Sequence, residues 1–256
     1  GTNGEGYILT AKEKQLVLET VIDQCNGRVP VYAGTGCIST KETIEQSKMA
    51  EAAGADVLSI ITPSFAAASQ EELYVHYKTV AEAVDMPIVL YNIPARTGNA
   101  LAPATVGRLA QIENIVGVKD SSGNFTNILN YINAGNKKTN GKFYTLSGND
   151  QLIIWTLLAG GTGGIAGCAN VYPHTMASIY NLFMEGKIEE AKAANASIQS
   201  FRDCFKYGNP NTIVKTAVRL LGYEVGPCRA PFNQVPEEGI KALKKVLEEN
   251  AAKGMN

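Results

Sequence analysis

Short apolar runs and helix-period stripes alternate along most of this chain. The runs are Val29–Gly36 (VPVYAGTG), Asp56–Pro63 (DVLSIITP), Pro87–Pro94 (PIVLYNIP), Ile115–Ser122 (IVGVKDSS), Phe143–Asp150 (FYTLSGND) and Gly163–Asn170 (GGIAGCAN). Apolar runs of this length, closed by Gly, Pro, Asn or Asp, read as buried strands. Between them the pattern predicts helices over about 11–24, 40–54, 70–84, 124–134 and 151–159, with a shorter one from Pro103. The first starts at Thr10, where Glu13 can close a capping box, and Asn26-Gly27 ends it. Strand starts at 29, 56, 87, 115, 143 and 163 recur roughly every 20–30 residues, the rhythm of βα units around a parallel sheet.

Beyond Pro173 the pattern is helical. Segments 174–185, 188–206, 210–221 and 236–251 carry apolar positions at helical spacing, with a Gly- and Pro-containing loop over 222–233. No composition shift marks an independent second domain. The expected organisation is therefore a (β/α) barrel over 1–172 and a C-terminal helical region over 173–256 packed on it. A closed (β/α)8 TIM barrel needs eight strands, and six are clear. Either the sheet is open, or a segment before Gly1 is absent, residues 1–6 reading as the turn that follows a missing strand.

Composition narrows the classes of function. A net charge of −1 over 256 residues gives no electrostatic case for nucleic acid or a membrane surface. No apolar run approaches the ~20 residues that span a bilayer. Five cysteines without a CxxC pair point to reduced thiols and a cytoplasmic location. Two distant histidines argue against a histidine-rich metal site.

In a parallel barrel, chemistry collects at the carboxyl ends of the strands. There the chain offers Thr35, Thr62, Tyr91, Arg96, Lys119, Ser147-Gly148 and Asn170, together with Thr2-Asn3. Lys119 ends the run Ile115–Val118, and a polar turn is expected over Asp120–Gly123. A strand-end lysine most often keeps its head in water. An ammonium drawn into a dry pocket instead loses hydration, which favours the neutral amine, a nucleophile toward carbonyl carbon. Tyr91 occupies the matching position on the preceding strand, where a phenol can move a proton.

YNIPARTG (91–98), GVKDSSG (117–123) and the opening GTNGEG resemble the dihydrodipicolinate synthase/N-acetylneuraminate lyase family. LSGND, GGIAGCANVYP and NPNTIVKTAVRLLG fit in the same order, so the likeness covers essentially the whole chain. These are pyruvate-dependent class I aldolases on a TIM barrel, and by this resemblance the part expected to be absent is the first strand, a helix and most of the second strand. The resemblance implies no cofactor and no metal, and a homo-oligomer, dimer or tetramer. It makes Lys119 the Schiff-base lysine and Tyr91 the proton-transferring phenol. Thr2 and Asn3 would hold the pyruvyl carboxylate, Arg96 the carboxylate of aspartate semialdehyde as a bidentate fork, and main-chain oxygens near Gly148 and Ile165 would face the substrate.

Two departures keep the acceptor open. Asn3 stands where Thr is usual in the opening motif, GTTGE or GSTGE. Ser64-Phe65 replaces a tyrosine pair whose second member reaches a neighbouring subunit's site and relays protons between Tyr91 and Thr2. Arg96 favours condensation of pyruvate with aspartate semialdehyde, in lysine biosynthesis. GTNGE and GPCRAP (226–231) resemble the 4-hydroxy-2-oxoglutarate aldolases of the same family, and Asn3 and Phe65 pull away from the synthase. A catalytically silent 2-oxo-acid-binding homologue is the reading from another class.

The resemblance also bears on regulation. Many synthases are inhibited by lysine in a cleft between two subunits, whose positions map onto Gly6, Tyr7, Ala11, Lys14, Ile38, Glu42 and Ser64. Here Ala11 and Ile38 offer no side-chain hydrogen bond, Ser64 is short and Lys14 is cationic. Each lost contact to a charged ligand costs about 1.5–3 kcal/mol, so two weaken binding roughly a hundredfold or more. Lysine is expected not to inhibit this protein. A lysine titration of its activity checks this, and half-inhibition below about a millimolar would show the mapping to be wrong.

Overall fold

The computed structural model describes residues 1–256. The chain divides into a sheet unit, Leu9–Ser147 with Ala159–Thr162, and a helical unit, Gly1–Ile8, Gly148–Leu158 and Gly163–Asn256.

In the sheet unit, α1 (Ala11–Cys25) starts on the expected capping box: the Thr10 N–H donates to Glu13 at 2.8 Å and the Glu13 N–H to the Thr10 hydroxyl at 3.4 Å. Then follow β1 (Tyr32–Gly34), α2 (Thr40–Ala53), β2 (Val57–Ile61), α3 (Gln70–Ala81), β3 (Ile88–Asn92), α4 (Pro94–Thr97), α5 (Pro103–Leu109), β4 (Ile115–Asp120), α6 (Phe125–Thr139) and β5 (Tyr144–Ser147). All five strands run parallel and pair in sequence order. The strand expected over 29–36 shrinks to three residues, because β1 pairs with β2 over three positions. The single turn α4 was not expected; Pro94 at its first position and Gly98 with φ 77° after its end are the signals that mark it.

Strand side chains alternate between two faces. Leu58, Ile60, Ile88, Leu90 and Val118 face the helices, where they pack with Leu73, Tyr77 and Val80 of α3, Val106 and Leu109 of α5 and Tyr131 of α6. The opposite face carries Ile61, Val89, Tyr91, Gly117, Lys119 and Leu146, linked by the register Ile61↔Tyr91, Tyr91↔Lys119 and Lys119↔Leu146. One irregularity makes this possible. Ile88 pairs with Ile115 but Val89 pairs with Gly117, so Val116 is an extra residue in β4. It lets Ile115 and Val118, an odd number of positions apart, both join the core.

In the helical unit, α7 (Ile153–Leu158), the two-residue strand β6 (Gly163–Gly164), α8 (Pro173–Met184), α9 (Ile188–Ser197), α10 (Gln199–Arg202), α11 (Pro210–Leu220) and α12 (Glu237–Ala252) surround a core containing Ile154, Ile179, Ile198, Phe201, Ile213 and Leu243. The strand expected over 163–170 stops after Gly164, and Gly167–Asn170 forms a 3-10 turn. Three glycines supply no side chains to pack on a sheet. The helix expected over 188–206 is interrupted at Ile198. There the Ser197 hydroxyl donates back to the Ala194 carbonyl at 2.7 Å, a bond that bends helices. No helix of the chain is long and apolar enough to cross a membrane.

Gly117 is a glycine by necessity. A Cβ there would lie 2.5 Å from the Tyr144 carbonyl oxygen and 3.0 Å from its Cβ. Gly117→Ala must push β4 and β5 apart, and is expected to destabilise the protein by about 1–3 kcal/mol. An unchanged thermal midpoint would contradict this close approach.

Candidate active site

Lys119 and Tyr91 are direct register partners at the carboxyl ends of β4 and β3. Lys119 is half-buried and Tyr91 buried. The Lys119 Nζ lies 3.8 Å from the centroid of the Tyr91 ring, an ammonium–π contact. Half-buried Ile61 and Leu146 extend the same row on either side. An amine is thus held on an aromatic face, in line with apolar neighbours, at a strand end.

The next position on each strand points to the opposite face and is polar. Asp120, expected in a turn, ends β4 and is fully buried. Its carboxylate accepts from Asn92 Nδ2 at 2.7 Å, the Ser122 hydroxyl at 2.6 Å and Asn127 Nδ2 at 3.2 Å. Asn92 Oδ1 accepts the Leu101 N–H at 3.0 Å. Thr62 Oγ1 meets Thr97 Oγ1 at 2.8 Å and donates to the Asn99 carbonyl at 3.1 Å. That contact anchors α4, where Arg96 is exposed.

Phe65 stands in a γ-turn: its φ is 80° and the Ala66 N–H donates to the Ser64 carbonyl at 3.1 Å. A bulky residue rarely adopts this conformation. Asn99 holds it, donating from Nδ2 to the carbonyls of Pro63 and Ala66 and accepting from the Ala68 N–H. The aromatic ring is left 98% exposed.

Thr2, Asn3, Gly148 and Ile165 belong to the helical unit. Thr2 is half-buried and Asn3 exposed in the opening loop, which closes through the Glu5 N–H to the Thr2 carbonyl at 3.1 Å. Asn3 Nδ2 lies 2.9 Å from where a Cβ on Gly167 would stand, so the glycine makes room for the amide. Gly148 and Ile165 are half-buried. The segments that carry them are joined by Asp150, which accepts the Cys168 N–H at 3.2 Å and pairs with Arg202. No three His, Cys, Asp or Glu side chains are grouped to hold a metal ion.

The profile of the Dihydrodipicolinate synthetase family matches residues 1–250. The chain belongs to this family. The 4-hydroxy-tetrahydrodipicolinate synthase of Methanopyrus kandleri is 39% identical over 97% of this chain and 82% of its own length. That of Methanothrix thermoacetophila is 40% identical over 96% and 82%. Among solved structures, the dihydrodipicolinate synthase of Thermotoga maritima superposes with a TM-score of 0.94 at 29% identity, covering 98% of this chain and 85% of that one. A chloride-inhibited synthase of Acinetobacter baumannii, complexed with pyruvate, gives 0.93 at 35% over 98% and 85%.

Within this dihydrodipicolinate synthetase family member, residue patterns alone had left Asn92, Asp120, Asn99 and Glu5 without a role. For Asp120 a signal existed: a residue directly after a strand lysine faces the other side of the sheet. For Glu5 there was none, since its partners are far away in sequence. Glu5 is buried with φ 54°, paired with Lys215 Nζ at 2.6 Å and accepting the Arg229 N–H at 2.8 Å. Burial raises its carboxyl, but the Lys215 ammonium and the Arg229 N–H outweigh that and hold it below the ordinary value of 4.5.

A carboxyl lowered in this way stabilises the fold while ionised. Its contribution is complete above the unfolded-state value and is lost as pH falls through the lower folded-state value. Glu5→Gln is therefore expected to flatten the acid loss of stability between about pH 5 and 3. Thermal midpoints of wild type and variant across that range read the effect, and parallel curves would exclude it.

Proposed function

We propose that this chain is a 4-hydroxy-tetrahydrodipicolinate synthase, a Schiff-base-forming lyase that condenses pyruvate with aspartate semialdehyde. The observation that carries the reading is the Lys119 amine on the Tyr91 ring at paired strand ends. Curated relatives bearing that name at 34–40% identity support it. In this reading Lys119, once its ammonium has given up a proton, attacks the ketone carbon of pyruvate through Nζ, and loss of water gives an imine. Loss of a methyl proton gives the enamine, whose carbon attacks the aldehyde; the amine of the former semialdehyde then attacks the imine carbon, closing the ring and releasing the Lys119 amine. Tyr91 moves the protons of imine formation. Thr2 and Asn3 bind the pyruvyl carboxylate, main-chain oxygens at Gly148 and Ile165 face the substrate, and Arg96 takes the carboxylate of the semialdehyde.

We read the strands as members of a (β/α)8 barrel, with 1–172 carrying the chemistry and 173–256 as its helical extension. The chain works as a homo-oligomer in the cytoplasm, without cofactor. Phe65 supports a second reading, a 4-hydroxy-2-oxoglutarate-type aldolase, because a phenyl ring carries no proton for a relay.

Borohydride reduction in the presence of pyruvate is expected to add one pyruvyl mass to Lys119; an unmodified lysine would overturn both readings. Arg96→Ala is expected to lower kcat/KM for the semialdehyde by about tenfold to a hundredfold, the loss of a charge-assisted fork. Semialdehyde turnover untouched by that change, with faster cleavage of a 4-hydroxy-2-oxo acid, would select the second reading.

A further inference from the structure

We infer that Asp120 is a positioning residue: with Asn92 it forms a buried bracket behind the reactive row that sets Lys119 on the Tyr91 ring. This deepens the function proposed above and rests on it. The helix-facing side of the sheet is apolar at Leu58, Ile60, Leu90 and Val118. It turns polar at the position next to the reactive row, where Thr62, Asn92 and Asp120 are buried. Taking a carboxylate wholly out of water is costly unless it is fully hydrogen-bonded. An apolar side chain there would fill the space without that cost. What the carboxylate provides is direction.

Asn92 and Asp120 are register partners joined side chain to side chain, one residue beyond Tyr91 and Lys119. The bracket reaches the connection after each strand: Asn92 through the Leu101 N–H, Asp120 through Ser122 and Asn127. Backbone hydrogen bonds fix strand pairing up to the Ser121 N–H, which donates to the Asn92 carbonyl at 2.8 Å, and strand ends fray beyond the last such bond. A side-chain bond across the last pair holds β3 and β4 at the level where the amine and the ring must meet. An error of about 1 Å in such a placement costs up to a hundredfold in rate.

The test compares Asp120→Ala with Asp120→Asn. Asparagine can keep the bracket, since its oxygen accepts from Asn92 and Asn127 and its amide donates to a reversed Ser122 hydroxyl. Alanine removes it. Two readouts are taken on samples with wild-type circular dichroism: the rate of borohydride-trapped pyruvate on Lys119, and the NMR shift of the Lys119 ε-methylene, moved upfield by the Tyr91 ring current. Asp120→Ala is expected to lose the upfield shift and slow trapping by about tenfold or more, with KM for pyruvate changed less than about threefold. Asp120→Asn is expected to stay within about threefold of wild type and keep the shift. An Asp120→Ala protein with wild-type shift and trapping overturns the inference. So does Asp120→Asn as impaired as alanine, since charge would then be the operative feature. If Asp120→Ala does not fold, Ser122→Ala, which removes one donor, is expected to move both readouts in the same direction. No movement of either overturns the bracket. If the wild type traps no pyruvate, the Schiff-base reading fails, while the NMR shift still decides the bracket.

Discussion

The pairing of β3 with β4 is the constraint on which the candidate site depends. Side chains alternate along a strand, so a slip of one residue sends the whole set to the other face. Here the pairing begins with Ile88 opposite Ile115, takes in the extra Val116, and ends with Tyr91 opposite Lys119 and Asn92 opposite Asp120. Core packing and chemistry would otherwise compete: Ile115 and Val118 both belong to the helix-facing core, while Lys119 must face the other way. The bulge resolves the conflict. Gly117, two residues before the lysine, lets β5 approach at the same level.

The helical unit fixes its loops differently. Its residues lie on loops, and loops hold a shape only when their backbone groups have partners. The Glu5 carboxylate ties the opening loop to the Lys215 ammonium and the Arg229 N–H, and the Asp150 carboxylate ties the later segments to the Cys168 N–H and Arg202. Both carboxylates are buried and both are paired. Such pairs add little net stability against an apolar alternative, but they tie loops of distant sequence to one geometry.

Phe65 shows the opposite economy. A residue with a costly backbone conformation and an almost fully exposed ring contributes nothing to the core. The conformation persists because Asn99 satisfies three backbone groups around it. Strain of this kind, held in place by its surroundings, is found where a side chain must be presented. It sits at the position where the resemblance leads a tyrosine pair to be expected and the chain carries Ser64-Phe65.

The strands, most helices and the adjacency of Tyr91 and Lys119 were legible in the sequence, because each is written locally. Apolar runs, caps such as Thr10 with Glu13, and the two motifs that carry Tyr91 and Lys119 need no distant information. The resemblance of those motifs carried the family. Other features were decided only by tertiary structure. The end of the last strand at Gly164 and the break at Ile198 follow from packing and side-chain bonds that propensity does not see. The burial of Asp120 depends on a bulge, and the anchoring of Glu5 on a lysine at position 215. A buried charge is recognised by its partners, and those partners are neighbours in space that the linear order keeps apart.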